Sequence, residues 1–292
     1  DRTRSLLDKR DSGQFSTPQR PVAFAAWEFD GNLRDSIGQL HGIATGNAQT
    51  SEGKLVLNGD AYVVTKPLPK TLTEKTFEVS LELSTLNQTG GGAITVQTTD
   101  GTVFDSVVFA EREPAKWTAG SNVSARTKNV GGPAEVENVR VCVTIVYTSD
   151  GMITLYRNGQ PYGKPYKRPG PVRFESGKSQ VLIGMRHGTE SSRTDRLRAR
   201  IDWARLYDRA LTAQEVLISS QGEPDFVPLS AILAEMTDVQ KSEKNRLEME
   251  MGQLDNRITS LLGDTGREPL ENSEWHELAL AVFNFKEFIF VQ

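Results

Sequence analysis

From Val22 to Val216 the apolar residues fall into short runs of five to ten, each closed by residues that favour turns. Strands are expected over 22–29, 54–58, 61–65, 76–84, 93–97, 103–110, 115–119, 139–148, 152–157, 179–185 and 199–207. Asp150-Gly151 and Asn158-Gly159 mark two tight hairpins, because Asp-Gly and Asn-Gly favour type I′ turns with positive φ at both central residues. Short strands with a turn signal every ~8–12 residues pack as a sandwich or close as a barrel. Phe77, Val79, Leu81 and Leu83 alternate with Glu78, Ser80, Glu82 and Ser84, so one face of that strand is buried. The nearly continuous apolar run at 141–147 reads as a central strand between layers.

A chain of 292 residues holds one large or two small domains. A net charge of −4 gives no global basic field to attract nucleic acid. No apolar run approaches the ~20 residues of a membrane-spanning helix. Cys142 is the single cysteine, so an internal disulfide is excluded, and its strand context suits a packed thiol better than a nucleophile. The chain opens on Asp1-Arg2-Thr3-Arg4, without an initiator Met or a signal-peptide pattern, and reads as the interior of something longer.

Three regions are expected. Residues 1–21 are polar and read as a linker; 22–218 form the β-sandwich; 219–292 form a helical extension after the boundary Gln221-Gly222-Glu223-Pro224-Asp225. Thr237 and Gln240 fit a capping box. Leu247, Met251, Leu254, Ile258 and Leu261 make a coiled-coil-like stripe within 238–262. An amphipathic helix over 273–290 carries Trp275, Leu278, Val282, Phe285 and Phe288. It lacks the basic face of a membrane-surface helix, so docking on a neighbouring domain is expected.

The β-rich region closes on Ile201-Asp202-Trp203-Ala204-Arg205-Leu206-Tyr207, which runs into a helical turn capped by Thr212 and Glu215. Alternation places Ile201 and Trp203 on one face. This segment follows Trp27-Glu28-Phe29-Asp30-Gly31, Asp35-Ser36-Ile37-Gly38, Gly53-Lys54-Leu55-Val56-Leu57-Asn58-Gly59 and Ile153-Thr154-Leu155-Tyr156-Arg157-Asn158-Gly159. Together, over about 22–218, they resemble the laminin G-like, concanavalin A-like lectin/glucanase domain. Phe104-Asp105-Ser106, Trp117-Thr118-Ala119 and Gly184-Met185-Arg186-His187-Gly188 are similar to the version embedded in large exported planctomycete-type proteins associated with cytochrome c. No Cys-x-x-Cys-His is present for haem attachment.

The resemblance implies a mainly β, two-sheet antiparallel jelly-roll sandwich with the C-terminal α-helical extension. It implies a periplasmic or extracellular setting and a module that binds carbohydrate or another extracellular polymer within a larger protein. It also implies a calcium ion, with Asp30, Asp35 and Asp202 at the matching positions. Asp30 and Asp35 also suit Asx-turns, and Asp202 a paired strand acid. For a glycan partner, Trp117, Arg126, Arg186 and His187 are expected to converge at one sandwich edge, aromatic face beside guanidinium groups, although Trp117 also suits a core.

The resembled fold includes glycosidases that carry Glu-x-Asp-x-x-Glu on one strand face. The nearest match, Glu78-Val79-Ser80-Leu81-Glu82, has serine where the aspartate belongs, so no enzymatic role is expected. A structural role in assembly with neighbouring domains or chains is the alternative, and a glycoside hydrolase-like enzyme the third reading.

Overall fold

The computed structural model describes residues 2–12, 20–168, 170–189, 196–221 and 229–262. It separates into two compact units, Gln19–Gly222 and a second made of Asp1–Pro18 with Glu223–Gln292.

The first unit is a β-sandwich. Its strands in chain order are β1 (Ala25–Trp27), β2 (Gly42–Thr45), β3 (Gln49–Ser51), β4 (Lys54–Asn58), β5 (Tyr62–Thr65), β6 (Lys75–Leu83), β7 (Gly91–Thr98) and β8 (Phe104–Phe109). They continue through β9 (Trp117–Ser121), β10 (Arg140–Tyr147), β11 (Met152–Arg157), β12 (Gln160–Pro161), β13 (Tyr166–Lys167), β14 (Ser179–Ile183) and β15 (Arg198–Tyr207). The larger sheet runs β12-β11-β10-β6-β15-β4-β3, with β1 also on β15 and β13 also on β11; the smaller runs β2-β5-β14-β7-β8-β9. The pairings are antiparallel throughout.

Period-two burial builds the core. Phe77, Val79, Leu81 and Leu83 of β6 point inward with Val143, Ile145, Leu155, Ile201 and Leu206, and meet Val96, Val107, Phe109 and Val181 of the opposite sheet. The expected strands at 54–58 and 152–157 are β4 and β11. The shortest strands, β2, β3, β12 and β13, carry too few residues for an alternation pattern to mark them. At Asn158-Gly159 both residues have positive φ, 51° and 80°, as type I′ requires. At Asp150-Gly151 only the glycine does, at 86°, and Thr148 Oγ1 accepts from the Met152 N–H to close a longer loop.

β15 contains an irregularity that reorganises one face. Ile201 pairs with Leu81 and Trp203 with Ser80, leaving Asp202 as an extra residue in a bulge. Ile201 therefore points into the core while Trp203 turns outward beside Asp202. Alternation alone had placed Ile201 and Trp203 together.

α2 (Ala213–Gln221) lies on the outer face of the larger sheet, where Leu211 and Val216 close over Ala23, Ala26, Val146, Tyr156 and Tyr207. Thr212 and Glu215 form the capping box expected from the sequence, with Glu215 Oε2 2.8 Å from the Thr212 N and Thr212 Oγ1 3.3 Å from the Glu215 N. Bonds from Arg209 hold the Glu215 carboxyl down to about 2, against a smaller opposing effect of burial. Its folded pKa lies below its unfolded value, so the stability it contributes is complete above about pH 4.5 and lost as pH falls toward 2. The gap in melting temperature between wild type and Glu215→Gln should therefore close between about pH 5 and pH 2. A gap that stays constant on acidification would show that this carboxylate does not stabilise α2.

In the second unit, α1 (Arg2–Asp11) contacts α3 (Leu229–Glu235), and Lys9 pairs with Glu235. The segment read as a linker thus carries a helix. α4 (Asp238–Leu262) starts after a capping box, with Gln240 Oε1 accepting from the Thr237 N–H at 2.9 Å. Of its apolar stripe, Leu247 and Met251 are half-buried and Leu254 is exposed. Lys244–Glu248 and Arg246–Glu250 pairs run along the same helix. The amphipathic helix expected over 273–290 lies outside the described residues. No helix among the described residues is long and apolar enough to cross a membrane.

Candidate functional site

The ligand set expected from the sequence does not converge as a whole. Trp117 is 1 % exposed; it packs edge-on against Phe109 and donates from Nε1 to Glu135 Oε1 at 2.9 Å. It is a core residue and offers no face to a sugar. Arg126 is buried, with Nε 2.8 Å from Asp105 Oδ1 and Nη2 bonded to the Phe104 carbonyl and Asn122 Oδ1. Arg186 and His187 do come together. His187 stacks on Phe104 with ring centroids 4.1 Å apart, and Arg186 pairs with Glu111 at 3.1 Å.

These residues belong to a segment laid over the outer face of the smaller sheet. Thr95 Oγ1 donates to the Met185 and Arg186 carbonyls, and the Gln97 amide bonds both the N–H and the carbonyl of Gly188. A Cβ on Gly92 would sit 2.5 Å from the Arg186 Cα, so glycine is what lets the segment approach the strand so closely. The geometry gives Arg186 and His187 the work of fixing this segment, while Arg126 ties the turn at Asn122 to β8.

The calcium set of Asp30, Asp35 and Asp202 does not assemble either. Among the described residues no three His, Cys, Asp or Glu side chains are placed to hold one metal ion. Asp30 is exposed in a turn where Asn32 Nδ2 donates to the Asp30 carbonyl and Asn32 Oδ1 accepts from the Arg34 N–H. Asp35 is buried and accepts four backbone N–H groups, from Ala26, Ile37 and Gly38 at Oδ1 and Leu40 at Oδ2, each at 3.0 Å. Asp202 faces Lys54 at 3.1 Å, Arg140 at 3.0 Å and the Ser80 hydroxyl at 2.9 Å. Amide donors and cations fill positions that hard oxygen ligands would have to leave open for the ion.

Glu78 and Glu82 share the outer face of β6 but not an environment. Glu78 is fully buried beside α2, accepting from Ser219 Oγ at 2.5 Å and Tyr207 Oη at 3.1 Å. Burial pushes its carboxyl up, opposed by Ser219, Arg205 and Tyr207. Glu82 is half-buried and bonds Lys54 Nζ at 2.6 Å.

The other half of that same outer face lies beyond α2, and among the described residues there the Arg140 side chain is 62% exposed while Ser80 is buried. The bulge puts Trp203 there, half-buried and directly across from Ser80. The Arg205 guanidinium lies 3.8 Å from the indole centroid and occupies one face of the ring. Around Trp203 stand Ser80, Asp202, Lys54, Glu82 and Arg140, linked in one hydrogen-bonded and ionic chain. An aromatic surface beside fixed carboxylate and guanidinium groups is equipped to take a polar ring with one apolar face. The signal for Trp203 was present in the sequence as an aromatic next to Asp202, but strict alternation turned it inward.

A family model described as the concanavalin A-like lectin/glucanases superfamily matches residues 57–217. The chain belongs to this superfamily. No curated protein matches it in sequence. Among solved structures, domain 4 of the extracellular GH43 arabinanase of Geobacillus stearothermophilus, in complex with arabinotriose, aligns with TM-score 0.54 at 17% identity. That alignment covers 68% of this chain and 98% of the domain. The Trypanosoma rangeli sialidase in complex with 2,3-difluorosialic acid aligns with TM-score 0.52 at 15% identity, over 73% of this chain and 37% of the sialidase. The chain thus spans well under half of that enzyme.

Likeness at these identities shows the superfamily fold alone, and the fold occurs inside an arabinanase and a sialidase. This corrects the expectation, drawn from the missing aspartate at Ser80, that the chain has no enzymatic role. Membership of a superfamily that enzymes share does not license that exclusion.

Proposed function

We propose that the chain binds carbohydrate on the half of the larger sheet's outer face beyond α2, with the ring face of Trp203 opposite Arg205 as the stacking surface. The observation that carries this is the bulge at Asp202, which takes a tryptophan out of the core register and sets it among fixed polar groups. The arabinotriose bound by the arabinanase domain and the sialic acid analogue bound by the sialidase support a glycan as the ligand class.

Binding of the intact chain to a glycan array, followed by calorimetry on the positives, tests this. Trp203→Ala is expected to weaken binding about 30-fold, the ~2 kcal/mol typical of a central aromatic anchor. Trp203 is half-buried on an outer face, so the variant should keep its fold, checked by its melting curve. An array without positives, or a Trp203→Ala variant that binds as wild type does, would overturn the proposal.

A further inference from the structure

We infer that the glycan recognised on this face is acidic, with Arg140 receiving its carboxylate. This inference rests on the carbohydrate reading above and narrows it to a ligand class. Arg140 opens β10 and sits opposite Glu82 across the β6 pairing. Its Nε lies 3.0 Å from Ser80 Oγ and 3.0 Å from Asp202 Oδ2. Those two contacts hold one edge of the guanidinium. Its terminal nitrogens, Nη1 and Nη2, make no hydrogen bond to any described residue.

Exposure separates the charges by depth. The Arg140 side chain is 62% exposed, whereas that of Asp202 beneath it is 13% exposed. The acid is sunk and orients; the guanidinium projects. Both Asp202 oxygens are engaged, Oδ1 with Lys54 and Oδ2 with Ser80 and Arg140. A planar fork fixed at one edge presents two parallel N–H groups at the other, which is the two-point geometry a carboxylate accepts.

The spacing suits one sugar unit. Trp203 lies on β15, Ser80 directly across on β6, and the Arg140 guanidinium reaches Ser80 from β10. Neighbouring strands are ~5 Å apart, about the width of a pyranose ring. A uronic acid stacked on Trp203 would therefore carry its carboxylate to the fork. Binding through a half-exposed ion pair weakens as salt rises.

The test uses the full chain on an array pairing oligouronates with their methyl esters, which keep every hydroxyl and replace the charged carboxylate with a neutral ester. Acidic members are expected to bind about tenfold or more tightly than their esters, the strength of hydrogen bonds to a charged group. Arg140→Gln should abolish that preference, and Arg140→Lys, which keeps the charge without the fork, should recover only part of it. Trp203→Ala should weaken acid and ester alike. Equal binding of acid and ester, or a preference unchanged in Arg140→Gln, overturns the acidic assignment and leaves carbohydrate binding standing. An array with no positives of either kind overturns both.

Discussion

Replacing Asp105 with asparagine is expected to cost about 3–5 kcal/mol of unfolding free energy, the range for removing one partner from a buried ion pair. Lys75 Nζ and Asp105 Oδ2 are 2.8 Å apart, and both side chains have 0% exposure. Lys75 belongs to the larger sheet and Asp105 to the smaller, so the pair bridges the sandwich interior. Asp105 also receives Arg126 Nε at 2.8 Å. One carboxylate therefore balances two cations, and an amide at that position leaves both facing each other in a low-dielectric interior. Lys75 has no solvent to turn to: its ammonium lies 4.3 Å from the Tyr147 ring centroid and 5.0 Å from that of Phe174.

Lys75→Met is expected to cost much less, because Arg126 still neutralises Asp105 and a thioether suits the aromatic surroundings. The pH dependence gives a second readout. Burial lowers the Lys75 pKa, with Asp105 partly restoring it. Without that restoration the folded state favours the neutral amine still more, binds fewer protons than the unfolded chain, and gains stability as pH rises. The deficit of Asp105→Asn in urea unfolding should therefore narrow toward about pH 10. A loss under about 1 kcal/mol, or one matched by Lys75→Met, would show that the pair is not the balance point of this network.

The sandwich was legible where a strand has one buried face and is long enough to show period two. β6 announces itself through Phe77, Val79, Leu81 and Leu83, and all four are core residues. The site was less legible because its geometry depends on a single extra residue. Nothing in Ile201-Asp202-Trp203 specifies a bulge, yet the bulge decides which tryptophan faces the core. Trp117, which the sequence leaves open between a sugar site and the core, is core, and Trp203 stands on the outer face. Arg126 looked like a surface cation because its partner is far away in sequence: Asp105 is on a different strand, and only the fold shows that it points inward. Long-range charge pairing inside a core has no local signature.

Asp35→Ala is expected to lower stability by about 3 kcal/mol or more, since each buried backbone donor left without an acceptor costs about 1–3 kcal/mol. Four backbone donors converge on this carboxylate, those of Ala26 and Leu40 buried and those of Ile37 and Gly38 partly so, and they span the chain from Ala26 to Leu40. The residue thereby fixes the turn between β1 and β2, and the same turn lets Trp27 Nε1 donate to the Leu40 carbonyl at 2.8 Å in the core. Trp27 is wholly buried and pairs with Asp35 through an isolated bridge, so loosening the turn also loosens the core beneath it. Asp35→Asn should fall between alanine and wild type, because the amide keeps one accepting oxygen and replaces the other with a donor aimed at N–H groups. A calcium-ligand role makes a different prediction. There the wild type would melt higher with calcium than after chelation, and the alanine variant would lose only that increment. The hydrogen-bond geometry predicts an Asp35→Ala deficit of equal size in calcium and in chelator, because the groups it leaves unpaired are backbone amides and not an ion. Thermal unfolding of wild type and variant in both buffers separates the two, and a deficit confined to the calcium-loaded protein would return Asp35 to the metal.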